Sequence, residues 1–122
     1  MTNALGRHVL LEFYGCPPET LTSTDYVEDV LVGAARVSNA HIVNHLFHQF
    51  LPYGVSGVVV IEESHYTIHT WPEHGYAAID LFTCSDDVDV EVAIQYLKDH
   101  FKPSKIEKVE VDRGVNFKLE AV

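Results

Sequence analysis

Glu63-Ser64-His65 sets a serine between an acid and a base, and a second histidine follows five residues on at His69. These are the parts for a reaction of a chain on itself. The Ser64 hydroxyl can attack the carbonyl of Glu63 and turn the amide between them into an ester. A base that removes the Ser64 α-proton then parts the chain between residues 63 and 64 and leaves dehydroalanine. Tautomerisation and hydrolysis make that residue a pyruvoyl group at a new N-terminus. The starting amide is planar and stable. The reaction therefore asks for an unusual local backbone and for a donor that holds the oxyanion.

Further residues with chemical capacity lie close by. His69 carries an imidazole, the side chain suited to proton transfer near neutrality. The thiol of Cys84 can protonate a carbanion-like centre. Taken singly, each residue has an ordinary structural reading: Cys84 a small buried residue, Phe50 core, His69 structural, Glu73 a solvated turn residue beside Pro72. Eight histidines also raise the question of a metal. His41, His45 and His48, or His65 and His69, have spacings that suit a helix better than the strands expected here, and no cysteine pair joins them, so no metal site is expected.

These residues must be held by strands. Arg7 to Tyr14, His41 to Phe50, Val55 to Glu62, His65 to Trp71, Tyr76 to Thr83 and Lys105 to Val111 are apolar, β-rich runs bounded by Gly and Pro. The core of the third, Val58-Val59-Val60-Ile61, is continuously apolar, so both of its faces are expected to be covered. Val27, Val30, Leu31, Ala34 and Ala35 repeat at helical spacing behind a cap at Ser23, Thr24 or Asp25. Val90, Ala93, Ile94, Leu97 and Phe101 mark a second helix from about Val88 to Phe101, stopped by Pro103. The order β-α-β-β-β-β-α-β predicts an α+β fold: a two-layer sandwich, one largely antiparallel sheet with both helices on one face. The tail after Gly114 gives no clear assignment. Side chains alternate faces along a strand. Ser64 and His69 have opposite parity, so either the strand bends or His69 serves a site other than the one its own Ser64 enters.

With 122 residues and 47% apolar content, the whole chain, 1–122, is expected to form a single domain. A net charge of −10 argues against nucleic acid and is compatible with a cationic substrate. No apolar run approaches the ~20 residues of a membrane span, and no signal peptide is evident. A cytoplasmic protein is therefore expected, with Cys16 and Cys84 as free thiols.

Several segments together, spanning about residues 5 to 84, resemble the small prokaryotic S-adenosylmethionine decarboxylases. They are Gly6-Arg7-His8, Phe47-His48 with Phe50, Pro52-Tyr53-Gly54-Val55-Ser56-Gly57, Glu63-Ser64-His65, Ile68-His69-Thr70-Trp71-Pro72-Glu73 and Phe82-Thr83-Cys84. The resemblance implies a proenzyme cleaved between Glu63 and Ser64 into a β chain, 1–63, and an α chain, 64–122. Ser64 becomes the pyruvoyl cofactor that forms a Schiff base with the substrate. Ser56 and His69 assist processing, Cys84 is the proton donor, Phe50 stacks on the adenine and Glu73 binds the ribose hydroxyls. The reaction implied takes S-adenosylmethionine to decarboxylated S-adenosylmethionine and CO2 for spermidine biosynthesis. The assembly implied is a homodimer of cleaved pairs with sites between protomers: Ser64 and Cys84 from one chain, Phe50, Ser56, His69 and Glu73 from the other. Tyr66, bulkier than the aliphatic residue expected there, should adjoin the substrate pocket. Relatives with the same processing residues decarboxylate ornithine or arginine, and a non-catalytic binding module is the alternative from another class.

Overall fold

The computed structural model describes residues 4–115. The first strand, β1, runs Gly6–Tyr14, and two helices follow, α1 (Glu19–Thr22) and α2 (Thr24–Val37). Next come β2 (Ile42–Gln49), β3 (Val55–Ile61), β4 (Ser64–Trp71), a 3-10 turn (Pro72–His74), β5 (Tyr76–Thr83), α3 (Val90–Phe101) and β6 (Lys105–Arg113). The six strands form one sheet in the order β2-β3-β4-β5-β1-β6, antiparallel throughout.

Alternation sorts the strand residues into two sets. Val9, Leu11 and Phe13 of β1, Val59 and Ile61 of β3, Tyr66 and Ile68 of β4, and Ala77, Ile79 and Leu81 of β5 are buried in one core. The register sets them side by side, with Val59 opposite Tyr66 and Leu81 between Tyr66 and Val9. Helix α2 covers this face over β2, β3 and β4 and packs on α3. It presents the expected stripe, Val27, Val30, Leu31, Ala34 and Ala35, all buried. The cap that starts α2 is Ser23, whose Oγ accepts from the Tyr26 amide at 3.4 Å. Asp89 does the same for α3, accepting from the Val92 amide at 3.3 Å. The architecture is the α+β two-layer sandwich expected.

Three expectations need correction. First, the Val58–Ile61 run is covered on one face only. Val59 and Ile61 are buried, but Val60 is 40% exposed, and Leu46, the register partner of Val58 on the same face, is 73% exposed. Val109 and Val111 extend this apolar exposure across the same open face onto β6. Second, Tyr66 does not adjoin a pocket. It points into the helix layer, fully buried, with its hydroxyl 2.8 Å from Ser38 Oγ. Third, two short elements escaped the periodicity. The prolines Pro17-Pro18 lead into α1, and the Pro72–His74 turn closes by a Gly75 amide bond to the Pro72 carbonyl at 3.1 Å. Elements of three or four residues are too short to show a period. Among the described residues no helix is long and apolar enough to cross a membrane.

Candidate active site

The Ser64 junction lies in the tight turn between β3 and β4, where only Glu62 and Glu63 separate the strands. Ser64 has φ of 143°, a backbone that L-residues rarely adopt. Such conformations cost about 1–3 kcal/mol and persist only when neighbours over-determine them. The Glu63 carbonyl accepts a hydrogen bond from the Cys84 amide at 2.8 Å. That amide follows from the register: Ser64 pairs with Thr83 at the end of β5, so Cys84 comes directly opposite Glu63. A donor is thus already on the carbonyl that a Ser64 attack would convert to an oxyanion. The Cys84 thiol is free and exposed, which removes its reading as a buried small residue. It borders a cleft of about 250 Å³ that Leu5, Arg7, Asp86, Glu110 and Asp112 also line.

A second cluster occupies the open face. Ser56 and His69 are register partners across β3 and β4, and Ser56 Oγ lies 2.7 Å from His69 Nδ1. A hydroxyl bonded to an imidazole is a proton-transfer pair. On its other side Ser56 pairs with His48, whose ring meets Phe50 edge-on at 4.6 Å. Phe50 is 48% exposed, so it is not core. Two glycines shape this end of the sheet, Gly54 in the loop and Gly57 on the helix-facing side of β3. Gly54, at φ 109°, offers its carbonyl to the Phe50 amide at 2.8 Å and closes the loop that carries Phe50. Gly57 lies under the Phe47 ring, which a Cβ would meet at 2.0 Å. Glu73 is exposed on the Pro72–His74 turn, at the same end of the sheet as Phe50.

Within one chain the two clusters do not meet. Five residue steps along β4 separate Ser64 from His69, roughly 17 Å at the usual rise. Parity holds: His69 and Ser56 face the open side, whereas Ser64 is in register with Ile61 and Thr83 of the helix-facing set. Ser64, Glu63 and Cys84 lie at one end of β4; Ser56, His69, Phe50 and Glu73 lie toward the other. The histidines proposed as a metal set are scattered. His41 bonds Glu63 at 2.6 Å, His45 bonds Glu28 at 2.7 Å, and His48 packs on Phe50. His41 and His48 were missed as neighbours of the two clusters. The pairing register places both, and single-residue spacing cannot supply it.

Comparison with known proteins points to one family. A family model described as S-adenosylmethionine decarboxylase matches residues 7–114. A protein of Thermosipho africanus named S-adenosylmethionine decarboxylase proenzyme is 56% identical over 111 residues, 91% of this chain and 85% of that protein. A protein of the same name from Fervidobacterium nodosum is 58% identical over 111 residues, 91% of this chain and 81% of that one. The crystal structure of the adenosylmethionine decarboxylase from Aquifex aeolicus has a TM-score of 0.86 at 35% identity, covering 92% of each chain. A Trypanosoma brucei AdoMetDC monomer shares the fold, with a TM-score of 0.64 at 17% identity over 85% of this chain and 45% of that chain.

Proposed function

This chain belongs to the S-adenosylmethionine decarboxylase family, and we propose that it is a self-processing, pyruvoyl-dependent enzyme of the cytoplasm. It converts S-adenosylmethionine to S-adenosylmethioninamine and CO2, a step toward spermidine. The observation that carries this reading is the strained Ser64 next to a carbonyl already held by the Cys84 amide.

Ser64 Oγ adds to the Glu63 carbonyl carbon while the Cys84 amide steadies the oxygen. The C–N bond breaks, and an ester to Ser64 Oγ replaces the amide. Loss of the Ser64 α-proton expels the Glu63 carboxylate, with the partner's Ser56 and the partner's His69 assisting proton transfer. Water and loss of ammonia complete the pyruvoyl, leaving residues 1–63 and 64–122. The strained serine and the held carbonyl fit formation of this group at position 64. When present, it supplies the electron sink that decarboxylation requires. Cys84 then returns a proton to the substrate α-carbon. The partner's Phe50 stacks on the adenine, and the partner's Glu73 accepts hydrogen bonds from the ribose hydroxyls.

The two separated half-sites favour a homodimer. An isologous two-fold pairing sets each surface patch against its own copy. Across the open face, a pairing whose two-fold axis crosses the strands would bring the Ser64 end of one chain near the His69 end of the other, with the junction at the sheet end reaching around to the partner, and would make two complete sites. The exposed Leu46, Val60, Val109 and Val111 give that face the apolar character of an interface core.

Denaturing intact-mass spectrometry tests the reading. Two masses are expected, broken between Glu63 and Ser64, the second lighter than a serine-started chain by one ammonia and blocked to Edman sequencing. CO2 release from S-adenosylmethionine, and not from ornithine or arginine, identifies the substrate. A single intact mass that survives long incubation would mean an inactive precursor or homologue and would move the binding-module reading ahead.

A further inference from the structure

We infer that His41 is a positioning residue for self-cleavage, clamping the carboxylate of Glu63 so that the junction keeps the arrangement from which Ser64 attacks. The inference rests on the self-processing proposed above.

Three hydrogen bonds converge on the β3–β4 turn from this one residue at the entry to β2. The Glu62 amide donates to the His41 carbonyl at 2.8 Å. The His41 amide donates to Glu63 Oε1 at 3.0 Å, and His41 Nδ1 lies 2.6 Å from Glu63 Oε2. Both carboxylate oxygens of Glu63 are therefore engaged, and its side chain is only 13% exposed. The same residue's carbonyl is held from the other strand by the Cys84 amide. Glu63 is thus pinned at its side chain from β2 and at its backbone from the end of β5. The carbon that Ser64 must attack lies between these two anchors. A strained backbone needs such over-determination, and a small misplacement of reacting atoms costs rate steeply.

The clamp has a titrating half. The charges that face the His41 ring are Glu63 and Glu62 on the turn and Asp87 from the loop ahead of α3, all anionic. The bond to Glu63 raises the His41 pKa above its ordinary value. Partial burial pushes the Glu63 carboxyl up, but the bonds from the His41 ring and amide outweigh it and hold that carboxyl below its ordinary range. The charged clamp is therefore complete at pH values between the two groups' pKa values, and it weakens as pH rises through that of His41.

The test times conversion of the full 122-residue chain to fragments on denaturing gels, from about pH 6 to about pH 9, the span of a histidine's titration. His41→Ala should slow cleavage about three- to tenfold, the reach of one exposed charge-assisted bond. His41→Asn keeps a donor where Nδ1 stands but cannot titrate. It should restore most of the rate and lack the wild type's decline toward high pH. Cleavage of His41→Ala at the wild-type rate across this range would overturn the inference alone. Equal slowing in both variants, with the wild-type pH profile retained and melting temperatures lowered in step, would also overturn it. A wild type that never cleaves would remove the self-processing reading and this inference with it.

Discussion

Mixing two inactive chains tests whether the half-sites are shared. One chain carries Ser64→Ala and keeps His69; the other carries His69→Ala and keeps Ser64. Alone, each is expected to process and decarboxylate at background. Co-expressed in equal amounts, two-fold dimers should form as about one quarter of each homodimer and one half heterodimer. In the heterodimer one site holds both substitutions, while the other combines an intact Ser64 with an intact His69 from the partner. Half the dimers with one working site of two gives about one quarter of wild-type activity per chain. About half of the Ser64-bearing chains should also appear as fragments. The roughly 17 Å between Ser64 and His69 along β4 is the reason to expect this, because no side chain spans it. The assays are the fragment ratio on a denaturing gel and CO2 release from S-adenosylmethionine. Activity that stays at background, with heterodimers confirmed by native mass spectrometry, would refute shared sites.

Other substitutions separate the roles of individual residues. Ser64→Ala should yield an intact chain with no decarboxylation, and Cys84→Ala should still cleave, its backbone amide being retained, while turnover falls by at least about a hundredfold for loss of the proton donor. Gel and CO2 assays on the same preparations check both. Iodoacetamide near neutral pH should label exposed Cys84 and spare Cys16, which is 3% exposed and whose thiol burial pushes up to about 11. The thiolate is the reacting form, so equal labelling of the two by peptide mass mapping would contradict this. Tyr66→Phe removes a buried hydroxyl bond to Ser38, which keeps its own bond to the Ala34 carbonyl at 2.8 Å. The expected cost is about 0.5–1.5 kcal/mol, measured by chemical denaturation in the uncleaved Ser64→Ala background, and cleavage of the single Tyr66→Phe chain should continue.

The elements were legible because period and punctuation agreed. The Val27 to Ala35 stripe and the Pro103 stop leave little room for another reading, and strand alternation correctly separated Ser64 from His69. What stayed hidden depends on register. Nothing in the spacing of Glu63 and Cys84 says that the amide of one meets the carbonyl of the other; this follows only once β4 and β5 pair Ser64 with Thr83. His41 and Glu63 are likewise brought together by the β2–β3 ladder. Tyr66 was misplaced because nearness in sequence to Ser64 and His69 was taken for nearness to the pocket. The Val58–Ile61 run was read as covered on both sides, and the single chain covers one. That residual mismatch is itself information, since a continuous apolar run with an open face calls for a second surface.

The sheet order also explains how a chain can be cut in its middle without coming apart. The proposed cleavage at Glu63-Ser64 would assign β1, α1, α2, β2 and β3 to one fragment and β4, β5, α3 and β6 to the other. In space these do not form two halves. β3 pairs with β4, and β1 is inserted between β5 and β6, so three ladders of the sheet join the fragments. The two principal helices belong to different fragments and pack on each other. Separating the fragments would therefore mean dismantling the core itself, with Val9 and Leu11 of one packed beside Ile79 and Leu81 of the other. The bond proposed to break lies where the β3–β4 turn meets β4, at the unfavourable backbone of Ser64, which is not among the core residues. Cutting there would relieve that strain without removing a core residue. The reactive junction and the stable scaffold are thus kept in separate parts of the fold, so the first can be consumed without cost to the second.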